Sequence, residues 1–229
     1  MKRAFPILGI LTALLLSYAL YGALIKAPTE QTMGDVQRIF YYHVPSAWTA
    51  FILFFVNFGA SVFYLIKRRP AADIVALVSA EVGVVFCTVV LITGPIWARP
   101  VWGIWWTWDV RLTSTLVLWL IYISYLMLRR FSTSGQTPVL AAALAVFGAL
   151  DVPLVYFSIW IFRTQHPQPV IGGGGSIDPR MLHVLLTNWL AFLFFAGLVC
   201  WSRYRLEILQ REVEETQALE AMLEPRSQR

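Results

Sequence analysis

The chain has 229 residues, of which 58% are hydrophobic and only 14% charged, with a mean hydropathy of +0.65 and a formal net charge of +5. Soluble domains carry roughly 25% charged residues, so a water-soluble globular fold is excluded and an integral membrane protein remains. The surplus of positive charge is explained below by loop placement and does not point to nucleic acid.

A membrane-spanning helix needs about 20 predominantly apolar residues. Six segments meet that standard: roughly Phe5 to Ile25, Ala47 to Ile66, Asp73 to Trp97, Leu112 to Leu128, Pro138 to Phe162 and Pro179 to Cys200. The fold class is therefore all-α, a polytopic protein with six transmembrane helices. Residues 1–201 form the transmembrane domain and 202–229 a cytoplasmic tail. The first span follows Lys2 and Arg3, but its apolar run exceeds the about 7–15 residues of a signal-peptide core and no A-x-A site follows. It reads as a retained helix.

The first outer connection, about 26–46, contains GDVQRIFYYHVPSAW. Val36, Ile39, Phe40 and His43 follow the i, i+3, i+4, i+7 spacing of one apolar helical stripe. A surface-lying helix would turn His43 towards the membrane or a cavity. Pro45 suits the first turn of the second span. The third span carries Glu81 and Cys87. A carboxylate at that depth is costly and is a functional candidate by default. Cys87 and Cys200 lack any C-x-x-C spacing, so packing is their expected role.

The second outer connection, about 98–111, contains WGIWWTWDVRLT, with four tryptophans in seven positions. Tryptophan is enriched at membrane interfaces, which accounts for Trp48, Trp97, Trp119, Trp160, Trp189 and Trp201. A block is different from scattered anchors. If helical, the stretch puts Trp102, Trp105, Trp106 and Asp109 on one face, an indole platform beside a carboxylate. Gly103 weakens a helix there and leaves an irregular loop open. Asp109 also suits the N-cap of the fourth span. The fifth span carries Asp151 ahead of Pro153, where freed backbone groups need partners.

The third outer connection, about 163–178, holds His166 and the flexible run Gly172 to Gly175. Asp178 and Pro179 form an N-cap and first helical residue. At about 1.5 Å per residue, His183 lies about 6 Å into the last span. In the tail, Leu206, Leu209 and Val213 share one helix face. That segment is either a cytoplasmic helix at the membrane or against a partner, or a frayed charged tail.

Lys2, Arg3, Lys67, Arg68, Arg69, Arg129, Arg130 and the C-terminal arginines 203, 205, 211, 226 and 229 fall on one side, twelve of the 18 basic residues. By the positive-inside rule both termini are cytoplasmic and all three histidines lie at the outer face. His43 and His183 then sit at matching depth, able to face each other, while His166 is more exposed. Neutral imidazole is the commonest metal ligand, and haem iron takes axial histidine. Zinc would require a third or fourth ligand nearby. The tryptophan block suits a large planar apolar ligand by stacking. Arg111, with Arg99 as a further candidate, suits carboxylates on it. Haem has a flat macrocycle, two propionates and an iron.

WGIWWTWDVRLT resembles the tryptophan-rich signature of the haem-handling membrane proteins of cytochrome c maturation. QRIFYYHVPSAW, VPLVYFSIWIFRTQHPQP and DPRMLHVLLTNW, with six spans and this length, narrow the resemblance to the CcmC family, also called haem exporter protein C. The resemblance covers most of the chain. It implies that His43 and His183 are the axial ligands of a transiently, non-covalently held haem b. It also implies that Trp102, Trp105, Trp106, Trp108 and Asp109 hold the haem edge, with Arg111 at the propionates. The implied place is the bacterial inner membrane, with the haem site facing the periplasm. The implied partners are a periplasmic haem chaperone that receives the haem, ABC transporter subunits and a small single-span membrane subunit, besides membrane lipid. Such a protein is a haem-binding and haem-transfer protein rather than an enzyme. The competing expectation is a proton-coupled or ion transporter using Glu81 and Asp151, although two carboxylates without a basic partner make a thin relay. A haem-ligating electron-transfer subunit would need a histidine at mid-membrane depth, and the sequence has none there.

Overall fold

In lipid a backbone has no partner but itself, so apolar runs of this length fold as helices. The computed structural model describes residues 4–162, 164–166 and 177–223. Lys2, Arg3, Arg163, the Gly172 to Gly175 run, Arg226 and Arg229 lie outside them. Helix α1 spans Ala4–Tyr21, continues through the wider turn Gly22–Lys26, and is followed by the tight turn Asp35–Ile39 leading into α2, Phe40–Lys67. Then come α3 (Pro70–Trp102), α4 (Val110–Phe131), α5 (Thr137–Ala149), α6 (Asp151–Ile161) and α7 (Pro179–Leu223). Among the described residues they give six stretches long and apolar enough to cross a membrane.

Four boundaries depart from the hydropathy reading, each for a local reason. The stripe at Val36 to His43 is no separate surface helix, because the backbone runs without a break from Asp35 into α2 and Pro45 lies inside it. Pro45, the sixth residue of α2, forgoes the hydrogen bond to the Tyr41 carbonyl, as a proline past the first turn of a helix must. Helix α3 passes Trp97 and continues through Pro95 and Pro100 to Trp102, ending where Gly103 adopts a left-handed φ of 78°. The fifth span is interrupted at Leu150, between α5 and α6. Pro153 has no N–H to offer the carbonyl of Ala149, which removes the hydrogen bond that would have joined the two halves. The last span does not stop at Cys200: α7 is a single helix of 45 residues, so the tail up to Leu223 is helical.

The core forms where α2, α3 and α4 meet. Phe54 stacks on Tyr122 with centroids 3.9 Å apart and planes 15° apart, and both are fully buried. Gly83 makes room for this pair, since a Cβ there would lie 2.8 Å from Phe54 Cε1. Cys87 is buried in the same cluster and Cys200 packs against it, both as free thiols.

At the end of the bundle carrying the Lys67 and Arg129 termini, charge replaces apolar packing. Asp73, which is buried, accepts from Arg129 Nη1 at 2.6 Å and Nη2 at 2.8 Å, and from Arg211 Nη2 at 2.8 Å. Arg211 also donates to Glu207 at 2.9 Å. About two helix turns nearer the membrane centre, Arg203 donates twice to Glu81, each bond 2.9 Å long. The expectation that Glu81 lacks a basic partner is therefore corrected. Its partner comes from α7, 122 residues away. Asp151 keeps one buried carboxylate oxygen without a hydrogen-bond partner among the described residues.

Removing one member of a buried charge pair leaves the other uncompensated, at a cost of about 3–5 kcal/mol. Asp73→Ala is accordingly expected to lower the thermal unfolding midpoint of the purified protein strongly and to loosen α7 beyond Arg203. An unchanged midpoint, with unchanged protease resistance of residues 203–223, counts against the cluster as a structural anchor.

Candidate functional site

The opposite end of the bundle gathers the residues singled out by sequence. His43, in the first turn of α2, is only 8% exposed. Its Nδ1 lies 2.9 Å from Thr93 Oγ1 on α3. Its ring meets Trp97 edge-on at 5.8 Å and lies 6.5 Å from the His166 ring, tilted by 31°. Arg38 holds this end of α2 to the end of α1, donating to the carbonyls of Ala23 at 2.8 Å and Ala27 at 3.3 Å.

The tryptophan stretch is not helical beyond Trp102, so Trp102, Trp105, Trp106 and Asp109 do not share a helical face. Gly103 ends α3, its N–H donating to the Arg99 carbonyl at 3.0 Å, and Arg99 donates back to the Gly103 carbonyl. Arg99 is thereby committed to the helix end. The irregular backbone that follows turns indoles outward: Trp105 is 58% and Trp108 77% exposed. Trp106 is half-buried, meets Trp108 edge-on at 5.8 Å, and keeps its buried Nε1–H without an acceptor among the described residues. Exposed aromatics in such a block are costly in water and suit a lipid headgroup zone or a flat apolar ligand.

Asp109 organises this loop. One carboxylate oxygen accepts from the Leu112 N–H at 3.0 Å, capping α4 as the sequence suggests. The other accepts from the Thr107 hydroxyl at 3.0 Å and from the Gln165 N–H at 3.2 Å. One side chain thus joins the tryptophan loop, the start of α4 and the segment carrying His166. Arg111 follows in the first turn of α4, within electrostatic reach of His43. Its Nη1 is buried with no hydrogen-bond acceptor among the described residues. A buried guanidinium donor without a partner is costly, and a ligand carboxylate would satisfy it.

His183 lies elsewhere. Val184 and Leu185 turn inward against Phe40 and Tyr41, which sets the phase of α7 and leaves His183 on the side of α1. There it is exposed and lines an open groove of about 440 Å³ with Tyr18, Gly22, Lys26, Arg180 and Asn188. The structure thus brings His43 to His166 and Arg111, and it places His183 in a groove that His43 does not line. At the groove mouth Asp178 accepts from the Arg180 N–H at 2.8 Å and from its guanidinium at 2.8 and 3.1 Å. Those hydrogen bonds hold the Asp178 carboxyl down at about 2. It is ionised at any physiological pH. Lys26 escaped the sequence reading because nothing local marks it as a neighbour of His183, α1 and α7 being brought together only by folding; Arg180, three residues before His183 on the same helix, is marked by its i, i+3 spacing.

The family model described as heme exporter protein C, CcmC, matches residues 1–219. The chain belongs to the CcmC family. Among curated CcmC relatives, a heme exporter protein C of Bradyrhizobium diazoefficiens is 36% identical over 222 residues, covering 96% of this chain and 84% of its own. A protein of Arabidopsis thaliana named as a putative cytochrome c biosynthesis ccmC-like mitochondrial protein is 33% identical, covering 93% and 83%. The heme exporter protein C of Escherichia coli K12 is 32% identical, covering 81% and 76%. The chain is thus a multi-pass CcmC-type membrane protein of cytochrome c biogenesis.

Asp109→Ala is expected to cost about 1 kcal/mol through the lost helix cap and to free the tryptophan loop from Gln165. Limited proteolysis within residues 103–109 should accelerate, whereas Asp109→Asn, which keeps one of the two acceptor oxygens, should fall between Asp109→Ala and the parent. Equal cleavage of all three proteins would mean that Asp109 does not hold the loop.

Proposed function

We propose that this chain binds haem at the end of the bundle carrying His43, His183 and the tryptophan loop, and hands it to a periplasmic haem chaperone. His43 and His183 supply nitrogen to the iron. Trp102, Trp105, Trp106 and Trp108 cover the ring, Asp109 shapes their loop, and Arg111 receives a propionate. The bound haem is haem b, held transiently and without a covalent bond to this chain. The chain works in the bacterial inner membrane beside ABC transporter subunits and a small single-span subunit, as a carrier rather than an enzyme.

The observation that carries this reading is Arg111 Nη1, which has no acceptor among the described residues and lies within electrostatic reach of His43, with a block of outward-facing indoles at the same end of the bundle. A guanidinium with one unsatisfied N–H, an imidazole and exposed aromatic surface at one end of the bundle match the three chemical parts of haem. The exposure of Trp105 and Trp108 suits a ligand that must leave again. The relatives' names, heme exporter protein C, agree with it. Lys67, Arg68, Arg69, Arg129 and Arg130 mark the other end of the bundle, which by the positive-inside rule supports a periplasmic setting for the histidines. The rival transporter reading loses ground because Glu81 is committed to Arg203.

One observation favours a second assignment of ligands: His166, rather than His183, has its ring near His43. The two assignments separate in the visible absorption spectrum of the purified protein with added haem. His43→Ala and His183→Ala should each weaken or shift the Soret band, with a smaller effect of His166→Ala. A larger effect of His166→Ala than of His183→Ala would move the second ligand to His166. A Soret band unchanged in all three variants removes the histidines from the site.

The tryptophan loop is tested separately. A Trp105→Ala and Trp106→Ala double variant should lower the yield of haem–chaperone adduct while the protein still accumulates in the membrane. An unaltered yield would assign the loop to interface anchoring.

A further inference from the structure

We propose that Thr93 is a positioning residue that fixes His43 in the tautomer with hydrogen on Nδ1, leaving the Nε2 lone pair free for a metal. The proposal rests on the reading of His43 as an iron ligand. It follows from two short distances that share one hydroxyl. Thr93 Oγ1 lies 2.7 Å from the Val89 carbonyl oxygen, one helix turn back, and 2.9 Å from His43 Nδ1. The next carbonyl, that of Val90, is 3.5 Å away.

A hydroxyl has one hydrogen to give, and a carbonyl oxygen can only accept. Two oxygens at 2.7 Å without a hydrogen between them would set lone pair against lone pair, so the Thr93 hydrogen goes to Val89. Bonding of this kind to the i−4 carbonyl is the ordinary behaviour of threonine in a helix. The hydroxyl then meets His43 with a lone pair, so Nδ1 must be the donor and carry the hydrogen. His43 is buried, and no aqueous alternative competes well for that N–H. Donation through one ring nitrogen fixes ring orientation and raises the basicity of the other, which is how metal-binding histidines are commonly held.

The rest of α3 holds the ring in the same place. A Cβ on Gly94 would lie 3.4 Å from His43 Cε1, so the helix backbone passes close to the carbon between the two ring nitrogens. Trp97, one turn beyond Thr93, meets the ring edge-on. Three neighbours on one helix therefore fix both the tautomer and the direction in which Nε2 points.

The test uses the full-length protein labelled with ¹⁵N-histidine, first without haem. With only three histidines, the His43 signals are identified by their loss in His43→Ala. The parent should show a protonated Nδ1 and an unprotonated Nε2. Thr93→Val removes the hydroxyl at nearly constant volume and should shift His43 towards the other tautomer, while Thr93→Ser should keep the parent pattern. With haem added, Thr93→Val should lose affinity by about 10-fold or more and shift the Soret band, again with rescue by serine. If Thr93→Val leaves both tautomer and affinity unchanged while His43→Ala abolishes the Soret band, Thr93 is not a positioning residue and the ligand reading survives. A changed tautomer with unchanged affinity also overturns the proposal, because the hydrogen bond would then not serve the metal. If His43→Ala has no effect on the haem spectrum, the ligand reading itself falls, and the proposal with it.

Discussion

Every backbone N–H and C=O inside the bilayer must find its partner within the protein, and this constraint decides where the chain can be irregular. Proline disturbs α3 twice and splits the fifth span, yet each disturbance is contained within a helical run. True loops occur only at the bundle ends. At one end they are short and surrounded by arginine; at the other they are longer and hold the histidines, the tryptophan block and Asp109. The candidate site residues are there because that is where backbone geometry is free to vary.

The two ends solve the problem of buried polarity differently. Around Asp73 every charged oxygen and guanidinium is paired, and Arg203 and Arg211 bind α7 to α3. Such a network gains less than its distances suggest, because desolvating the ions offsets much of the attraction. What it does provide is register: one arrangement of α7 satisfies Glu81, Asp73 and Glu207 together. At the histidine end the accounts are left open. Arg111 Nη1, Trp97 Nε1 and Trp106 Nε1 are buried donors without acceptors among the described residues. Groups deeper in the bundle, Asn57 Oδ1 and Ser61 Oγ among them, share that state, so the feature particular to this end is that its unsatisfied donors include a guanidinium N–H.

How much of this was legible in the sequence follows from the range of each interaction. The six spans were, because hydropathy is a local property summed over about 20 residues. The Asp109 cap was, because its partner is Leu112, three residues on. The start of α2 was misjudged because Pro45 also fits a first helical turn, and only the continuity from Asp35 decides between the two. The Glu81–Arg203 pair, the His43–Thr93 bond and the closeness of His166 to His43 were not legible. Their partners lie 122, 50 and 123 positions apart, and no periodicity encodes a contact across different helices. The same limit explains the two histidines read as facing each other. Depth in the membrane can be counted in residues, but the direction a side chain takes around its helix depends on which neighbours it packs against, and Val184 and Leu185 settle that for His183.

The guanidinium nitrogen of Arg111 that has no acceptor among the described residues also bears on how the protein behaves when nothing is bound. A buried donor without an acceptor makes the empty form less stable than the same fold with that donor satisfied. Any ligand that supplies the acceptor therefore shifts the folding equilibrium by mass action, in proportion to the logarithm of its concentration over its dissociation constant. The folded fraction of the chain then rises with the concentration of any such ligand, whatever its identity.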